Sequence, residues 1–208
     1  MPKNDLIRRY LIFAAGLFCN ALGVALVTKA ALGNTPMSAI PYSLSLILPA
    51  LTLGWWTILY NIFLTMLQWL LLRRSANKPE LLLQVVISFC FGYCIDLCML
   101  CLTWLAPESY LLRLLTLLIG CVVIAYGAFL EVRADVVMLP GDGLARAFSK
   151  VTGKEFGSIR VISDIIMSSA AAVLCLIFLR SLAGVREGTV IAAVLVGNLV
   201  KLFKKIRK

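Results

Sequence analysis

The sequence predicts an all-α polytopic membrane protein: six transmembrane helices arranged as two inverted three-helix repeats, each with a short proline-led helix after its first span. Three observations carry that expectation. Apolar runs of about 20 residues, the length a helix needs to cross the hydrocarbon of a bilayer, recur along the chain. Lys and Arg collect at alternate ends of those runs. The second half also repeats the first in register, three spans later, which turns it upside down.

Composition supports the first point. Of the 208 residues, 62% are hydrophobic and 14% charged, against about 45–50% and 25% in a soluble domain. In lipid the backbone must satisfy its own hydrogen bonds, and the alternation of a barrel strand is absent, so the runs are expected to be helices. The chain is expected to be a single membrane domain, 1–208, with repeat one over 10–105 and repeat two over 109–205.

The first run, 10–32, follows Lys3, Arg8 and Arg9. It exceeds the roughly 7–15-residue core of a secretory signal and further runs follow, so it reads as a span. Pro36 opens a short segment, 36–50. The second span, 54–72, begins at Trp55 and Trp56 and carries Trp69 near its end, and the third, 81–105, ends at Trp104. These are the positions that membrane interfaces favour for tryptophan. The fourth span, 109–131, leads to a second short segment, 140–150, opened by Pro140; the fifth and sixth cover 157–180 and 187–203.

With the N-terminus in the cytoplasm, Arg73, Arg74, Lys78, Arg146, Lys150, Lys154, Lys201, Lys204, Lys205, Arg207 and Lys208 all fall inside. Lys29, Arg113, Arg180 and Arg186 fall on the opposite face. Both termini are therefore expected in the cytoplasm of a bacterium, with the chain in its inner membrane. The net charge of +10 is explained by topology, and no basic stripe with interleaved aromatics points to nucleic acid.

The duplication is visible by eye. GLFCNALGVALVTKAALGNTP from Gly16 aligns without a gap on GCVVIAYGAFLEVRADVVMLP from Gly120, so that Gly23 meets Gly127, Lys29 meets Arg133 and Pro36 meets Pro140. TLGWWTILYN then aligns on EFGSIRVISD, pairing Gly54 with Gly157, Thr57 with Arg160 and Asn61 with Asp164. QVVISFCFGYCIDL aligns on TVIAAVLVGNLVKL, pairing Gly92 with Gly197 and Asp96 with Lys201. Gly16, Gly23, Gly120 and Gly127 recur on one side of their helices as close-packing positions.

Two sets of residues are candidates for function. The proline-led helices either lie on the surface or dip into the membrane with exposed N-terminal amides facing a cavity. Gly33, Pro36, Pro140, Gly141 and Gly143 are the expected helix-break or hinge positions, and Asp142 is either a cap or a ligand contact. Ionisable residues within spans are costly unless paired and are functional candidates by default. Glu131, Arg133 and Asp135 crowd the end of the fourth span, Asp96 lies in the third, and Arg160 with Asp164 stand one turn apart in the fifth. The expected substrate-binding set is Lys29, Asn61, Glu131, Arg133, Asp142, Arg160 and Asp164.

Seven cysteines and no histidine give neither a disulfide framework nor a Cys/His metal site. Cys90, Cys94, Cys98 and Cys101 share a helical face, as packing residues or as a soft-metal stripe.

The segments GVALVTKAALGNTPMSAIPYSLS, LGWWTILYN, LPGDGLARAFSKVTGKEFGSIRVISD and EGTVIAAVLVGNLVKLF resemble the YczE/YitT-type bacterial membrane proteins, specifically the YczE-like group. The resemblance covers most of the chain. Its Asp-Gly-Leu element is kept at Asp142, Gly143 and Leu144, and its later Arg and acid match Arg160 and Asp164. ADVVMLPG departs from the group's glycine-rich Ala-Gly-Leu-Gly stretch, and Leu139 stands where the group has Gly before Pro140. The resemblance implies an integral membrane protein and brings no activity with it.

The expected function is a small secondary transporter or exporter of an anionic or zwitterionic solute, with its site between the two repeats. The alternative is a non-transporting substrate-binding or accessory subunit of a larger complex. No enzyme motif and no cofactor signature appears. The expected partners are the lipid bilayer, a small-molecule substrate, and either a second copy of the chain or another membrane protein.

Overall fold

The computed structural model describes residues 3–73 and 76–206, with side chains from residue 5 onward. Arg74, Arg207 and Lys208, which contribute to the expected charge asymmetry, lie outside the described residues. All regular structure among the described residues is helical: α1 Lys3–Ala30, α2 Pro36–Ile47, α3 Leu53–Leu72, α4 Lys78–Cys101, α5 Tyr110–Ala134, α6 Pro140–Thr152, α7 Phe156–Leu179 and α8 Glu187–Ile206. Every expected span and short helix is present as a helix. Five of them, α1, α3, α4, α5 and α7, are long and apolar enough to cross a membrane. In α8 the 20 residues include Glu187, Lys201, Lys204 and Lys205, which dilute its apolar character.

The outer surface departs from that of a soluble protein. Leu82, Leu100, Ile165 and Ile177 are 61–70% exposed, while Gln84, Ser88, Asn34 and Ser43 are fully buried. Apolar side chains facing outward, over an interior that is mostly apolar but also encloses uncharged polar side chains, suit a hydrocarbon solvent, in which exposing the former costs nothing and exposing an amide costs several kcal/mol, roughly.

The centre is the antiparallel pair α1 and α5. They meet backbone to backbone: a Cβ on Gly16 would sit 2.9 Å from the Gly127 carbonyl oxygen, and one on Gly23 would sit 2.9 Å from that of Gly120. Any side chain at these positions would force the helices apart and forfeit the close packing that holds helices together in lipid. α4 packs on α1 and α8 on α5; α2 packs on α7 and α3 on α6; and each short helix also packs on the long helix that follows it. α3 further packs against α4.

Antiparallel packing defines two ends. At the basic end Arg9 pairs with Asp135 at 3.8 Å and Arg146 with Glu80 at 4.0 Å. At the far end the loop after α1 meets the start of α8, where Gly188 N donates to Leu32 O at 2.9 Å. The chain turns back sharply after each of the central helices. Ala31 and Gly33 take positive φ of 54° and 94°, and Asp135 takes 49°. Thr35 and Leu139 are then extended, which is the conformation a following proline demands, and Pro36 and Pro140 start α2 and α6.

Candidate functional site

The N-termini of α2 and α6 meet inside the molecule. The thioether methyl of Met37, the second residue of α2, fills the space a side chain on Gly141 would need. Pro36, Ser38 and Ala39 of α2, and Pro140, Gly141 and Gly143 of α6, are buried. The first amides of both short helices thus lie in the interior, where the partial positive charge of a helix start is poorly screened. Pro41 adds an acceptor beside them, because its missing N–H is the one that would have bonded the Met37 carbonyl.

Charge gathers at this junction. Arg160 of α7 forms an ion pair with Asp142 in the first turn of α6, and its Nε lies 3.4 Å from Asp164 Oδ1 one turn along α7. Its Nη2 also approaches the Met37 sulfur at 3.1 Å. The side chains of Arg160, Asp142 and Asp164 are 31%, 32% and 24% exposed. These are ion pairs by distance, yet Asp142 Oδ1, Arg160 Nε and Asp164 Oδ1 make no hydrogen bond of acceptable geometry. The pairing gathers one guanidinium and two carboxylates at the junction, a set that can exchange an internal partner for a charged group entering between them.

Two amides extend the polar region. Gln68 of α3 and Gln84 of α4 are 5% and 0% exposed. Both point at Gly143, where a Cβ would lie 2.6 Å from Gln68 Oε1 and 2.7 Å from Gln84 Nε2. Gln68 Oε1 and both polar atoms of Gln84 are without hydrogen-bond partners among the described residues. Tyr60, Leu64, Leu144 and Met167 form an apolar cluster around the same junction. One turn further along α6, Arg146 borders a cleft of about 360 Å³ at the basic end, lined also by Asn77, Pro79, Glu80, Leu83, Val136 and Val137.

Of the residues the sequence singles out, Asp142, Arg160 and Asp164 are brought together. Asn61 is buried in α3 at 7% exposure. Glu131 accepts a hydrogen bond from Asn20 Nδ2 at 2.9 Å on the α1–α5 seam. Lys29 is half-buried in the last turn of α1 and Arg133 exposed in the last turn of α5. Gly141 and Gly143 are helical; what they supply is room, for Met37 and for the two glutamines. Asp96 accepts from Thr52 Oγ1 at 2.6 Å and from Gly54 N at 2.8 Å, so it completes the cap of α3. Cys98 is buried while Cys90 and Cys101 are exposed, so the cysteine face is shared between two surroundings.

Sequence reasoning passed over Gln68, Gln84, Asn20 and Met37. The amides carried a usable signal, since a polar side chain within an apolar run must find a partner in the bundle. Met37 carried none.

The comparisons with known proteins agree with this picture of a helical membrane protein. The chain is 31% identical over 152 residues to the "Uncharacterized membrane protein YczE" of Bacillus subtilis (strain 168), covering 73% of this chain and 67% of the relative. No solved structure matches it. The family of unknown function DUF6198 matches residues 7–205, nearly the whole length, and the chain therefore belongs to DUF6198, as a YczE-like membrane protein.

Proposed function

We propose that the protein is a small secondary transporter of a zwitterionic solute, built from two inverted repeats with α8 as a sixth span and both termini in the cytoplasm. The observation that carries the reading is the meeting of two helix N-termini, at Met37 and Gly141, beside the Asp142–Arg160–Asp164 triad. Broken helices whose starts converge between repeats form the substrate sites of several transporter architectures.

The chemistry favours a zwitterion over a simple anion. A carboxylate entering the triad takes Arg160, and the ammonium of the same molecule takes the aspartate thereby released. If Arg160 keeps Asp164 while the ligand carboxylate displaces Asp142 and the ligand ammonium takes Asp142, one internal ion pair is exchanged for two ligand ion pairs without leaving a carboxylate alone, the costly outcome in an interior. Gln68 and Gln84 supply neutral donors and acceptors alongside.

The contact pattern supports the inverted repeat. The Gly16–Gly127 contact becomes Gly120–Gly23 when each residue is replaced by its repeat mate, and both contacts are made. Exchanging the halves likewise turns α1–α4 into α5–α8, α2–α7 into α6–α3 and α2–α3 into α6–α7, all of which pack.

Uptake of labelled amino acids and of dicarboxylates into liposomes holding the purified protein tests the function. Accumulation of a zwitterion that is lost in Arg160→Gln is the expected result. Binding of a zwitterion without uptake would instead assign a capture subunit, and neither binding nor uptake an accessory role. Impermeant labelling of a cysteine placed at Asn77 from outside intact cells would overturn the orientation.

A further inference from the structure

The repeat gives each contact at the far end a counterpart at the basic end, and the two ends are in different states. At the far end α3 and α4 are closed on each other: a Cβ on Gly92 would lie 2.6 Å from the Gly54 carbonyl oxygen, and Asp96 caps α3 through Thr52 and Gly54. The loop after α1 is likewise closed on α8, with Gly188 N bonded to Leu32 O and a Cβ on Gly33 only 2.6 Å from Arg186 N.

The corresponding residues at the basic end stand apart. Gly157 and Gly197 are the mates of Gly54 and Gly92. A Cβ on Gly197 would meet nothing within 4 Å among the described residues, and one on Gly157 only the nearby Glu155 carboxylate at 3.8 Å. Leu83, Val136 and Val137, the mates of Gly188, Leu32 and Gly33, line the open cleft. α7 is accordingly the barest of the five apolar helices, with 17% of its most apolar stretch buried against 39–50% for the others. The triad follows suit: Ser38, Thr57 and Asn61 are buried, whereas their mates Asp142, Arg160 and Asp164 are a quarter to a third exposed.

Charge completes the correspondence. Thr52 and Asp96 touch at the far end, and their mates are Glu155 and Lys201. These carry opposite charges, are exposed, and form no ion pair among the described residues. Two glycines with free space and an unpaired Glu and Lys are what a separated helix–helix contact leaves behind.

We propose that the basic end closes by the contacts now seen at the far end, with Gly197 against Gly157, Lys201 on Glu155 and Leu83 on Val136, while the far-end contacts open in exchange. The described form is the one open at the basic end, and the cleft beside Glu80 and Arg146 is its entrance. The inference deepens the transport reading and takes its purpose from it. The same rigid pieces then alternate between two packings, as inverted repeats allow.

Disulfide trapping tests it in membranes, in a variant whose seven native cysteines are replaced by alanine or serine. The pairs are Glu155→Cys with Lys201→Cys and, independently, Leu83→Cys with Val136→Cys. Thr52→Cys with Asp96→Cys is the control for the closed far end. The expected result is an intramolecular cross-link for all three pairs, with either basic-end cross-link lowering the yield at the far-end pair.

Adding Gly197→Leu, which meets open space in the described form, should leave abundance unchanged. It should lower the Glu155–Lys201 yield by about tenfold or more, since it over-packs the closed form alone. Absence of both basic-end cross-links while the control forms overturns the proposal, as does a Gly197→Leu variant with undiminished yield. A product at twice the monomer mass assigns these faces to a second copy and overturns it too. No substrate is needed, so failure here leaves the transport reading to liposome uptake, and failed uptake leaves the two packings to the cross-links.

Discussion

On the α1–α5 seam, the mates Gly16 and Gly120, and Gly23 and Gly127, make contacts that survive exchange of the halves residue for residue. Around Arg160 the same exchange replaces Arg160, Asp164 and Asp142 with Thr57, Asn61 and Ser38. The seam keeps residue identity, and the site keeps only polarity and position. Each seam contact joins one half to the other, so a change in either half is felt in both, whereas Arg160, Asp164 and Asp142 all come from the second half, which is free to gain charge alone.

The seam should therefore be the more fragile region. In Gly23→Leu the new Cβ would lie 2.8 Å from the Ile124 amide nitrogen and 2.9 Å from the Gly120 carbonyl oxygen, both backbone atoms unable to yield. Over-packing of about 1–3 kcal/mol is the floor for such a change, so a severe loss of membrane abundance is expected for Gly23→Leu and for Gly120→Leu alike. Wild-type levels of either on an immunoblot would remove the seam from the centre of the fold.

A smaller loss is expected at the triad. Arg160→Gln leaves two aspartates side by side, at a cost of about 1–3 kcal/mol given their partial exposure. The reversed pair Arg160→Asp with Asp164→Arg restores one ion pair but sets a carboxylate against Asp142, so it should recover abundance only in part and ligand-induced thermal stabilisation not at all, because a ligand reads where the positive charge sits. Full recovery of both would reduce the triad to a structural pairing.

Capping comes next. Thr52→Ala removes the acceptor for Trp55 N and the donor to Asp96, and about 1 kcal/mol is expected from a lost N-cap. Thermal unfolding in detergent measures it, and an unshifted midpoint would separate the cap from the α3–α4 contact. Least of all, Gly197→Ala should change stability by less than about 1 kcal/mol. A marked destabilisation in the same assay would mean that α8 packs more tightly there than its open surroundings indicate.

The spans were legible because lipid leaves so few options for an apolar run of that length, and the short helices because proline announces a helix start. Their burial was not legible. A surface position and an interior one produce the same Pro-led pattern, and the buried first turns with their Met37–Gly141 contact separate them. The Arg160–Asp164 pair followed from spacing alone, while Asp142 joins it from another helix through a turn no local pattern encodes. Glu131 and Arg133 sit two residues apart yet face different surroundings, Glu131 toward Asn20 and Arg133 outward. Charge in a sequence marks depth along a span before it marks direction around it.

The fastening of α8 carries one mechanical consequence. Its first turn is tied to the chain after α1, through Gly188 N to Leu32 O at 2.9 Å and Arg186 Nη1 to Ala31 O at 3.3 Å, while its other end is largely exposed. The helix is fastened at one tip and, further along, rests on α5 through Phe203 against Tyr126 and Phe129. Lys201 lies about 20 Å along the axis from Gly188 at 1.5 Å per residue, so a tilt of about 20° displaces it by about 7 Å. Releasing two bonds at the fastened tip thus frees a stroke longer than a side chain at the other end.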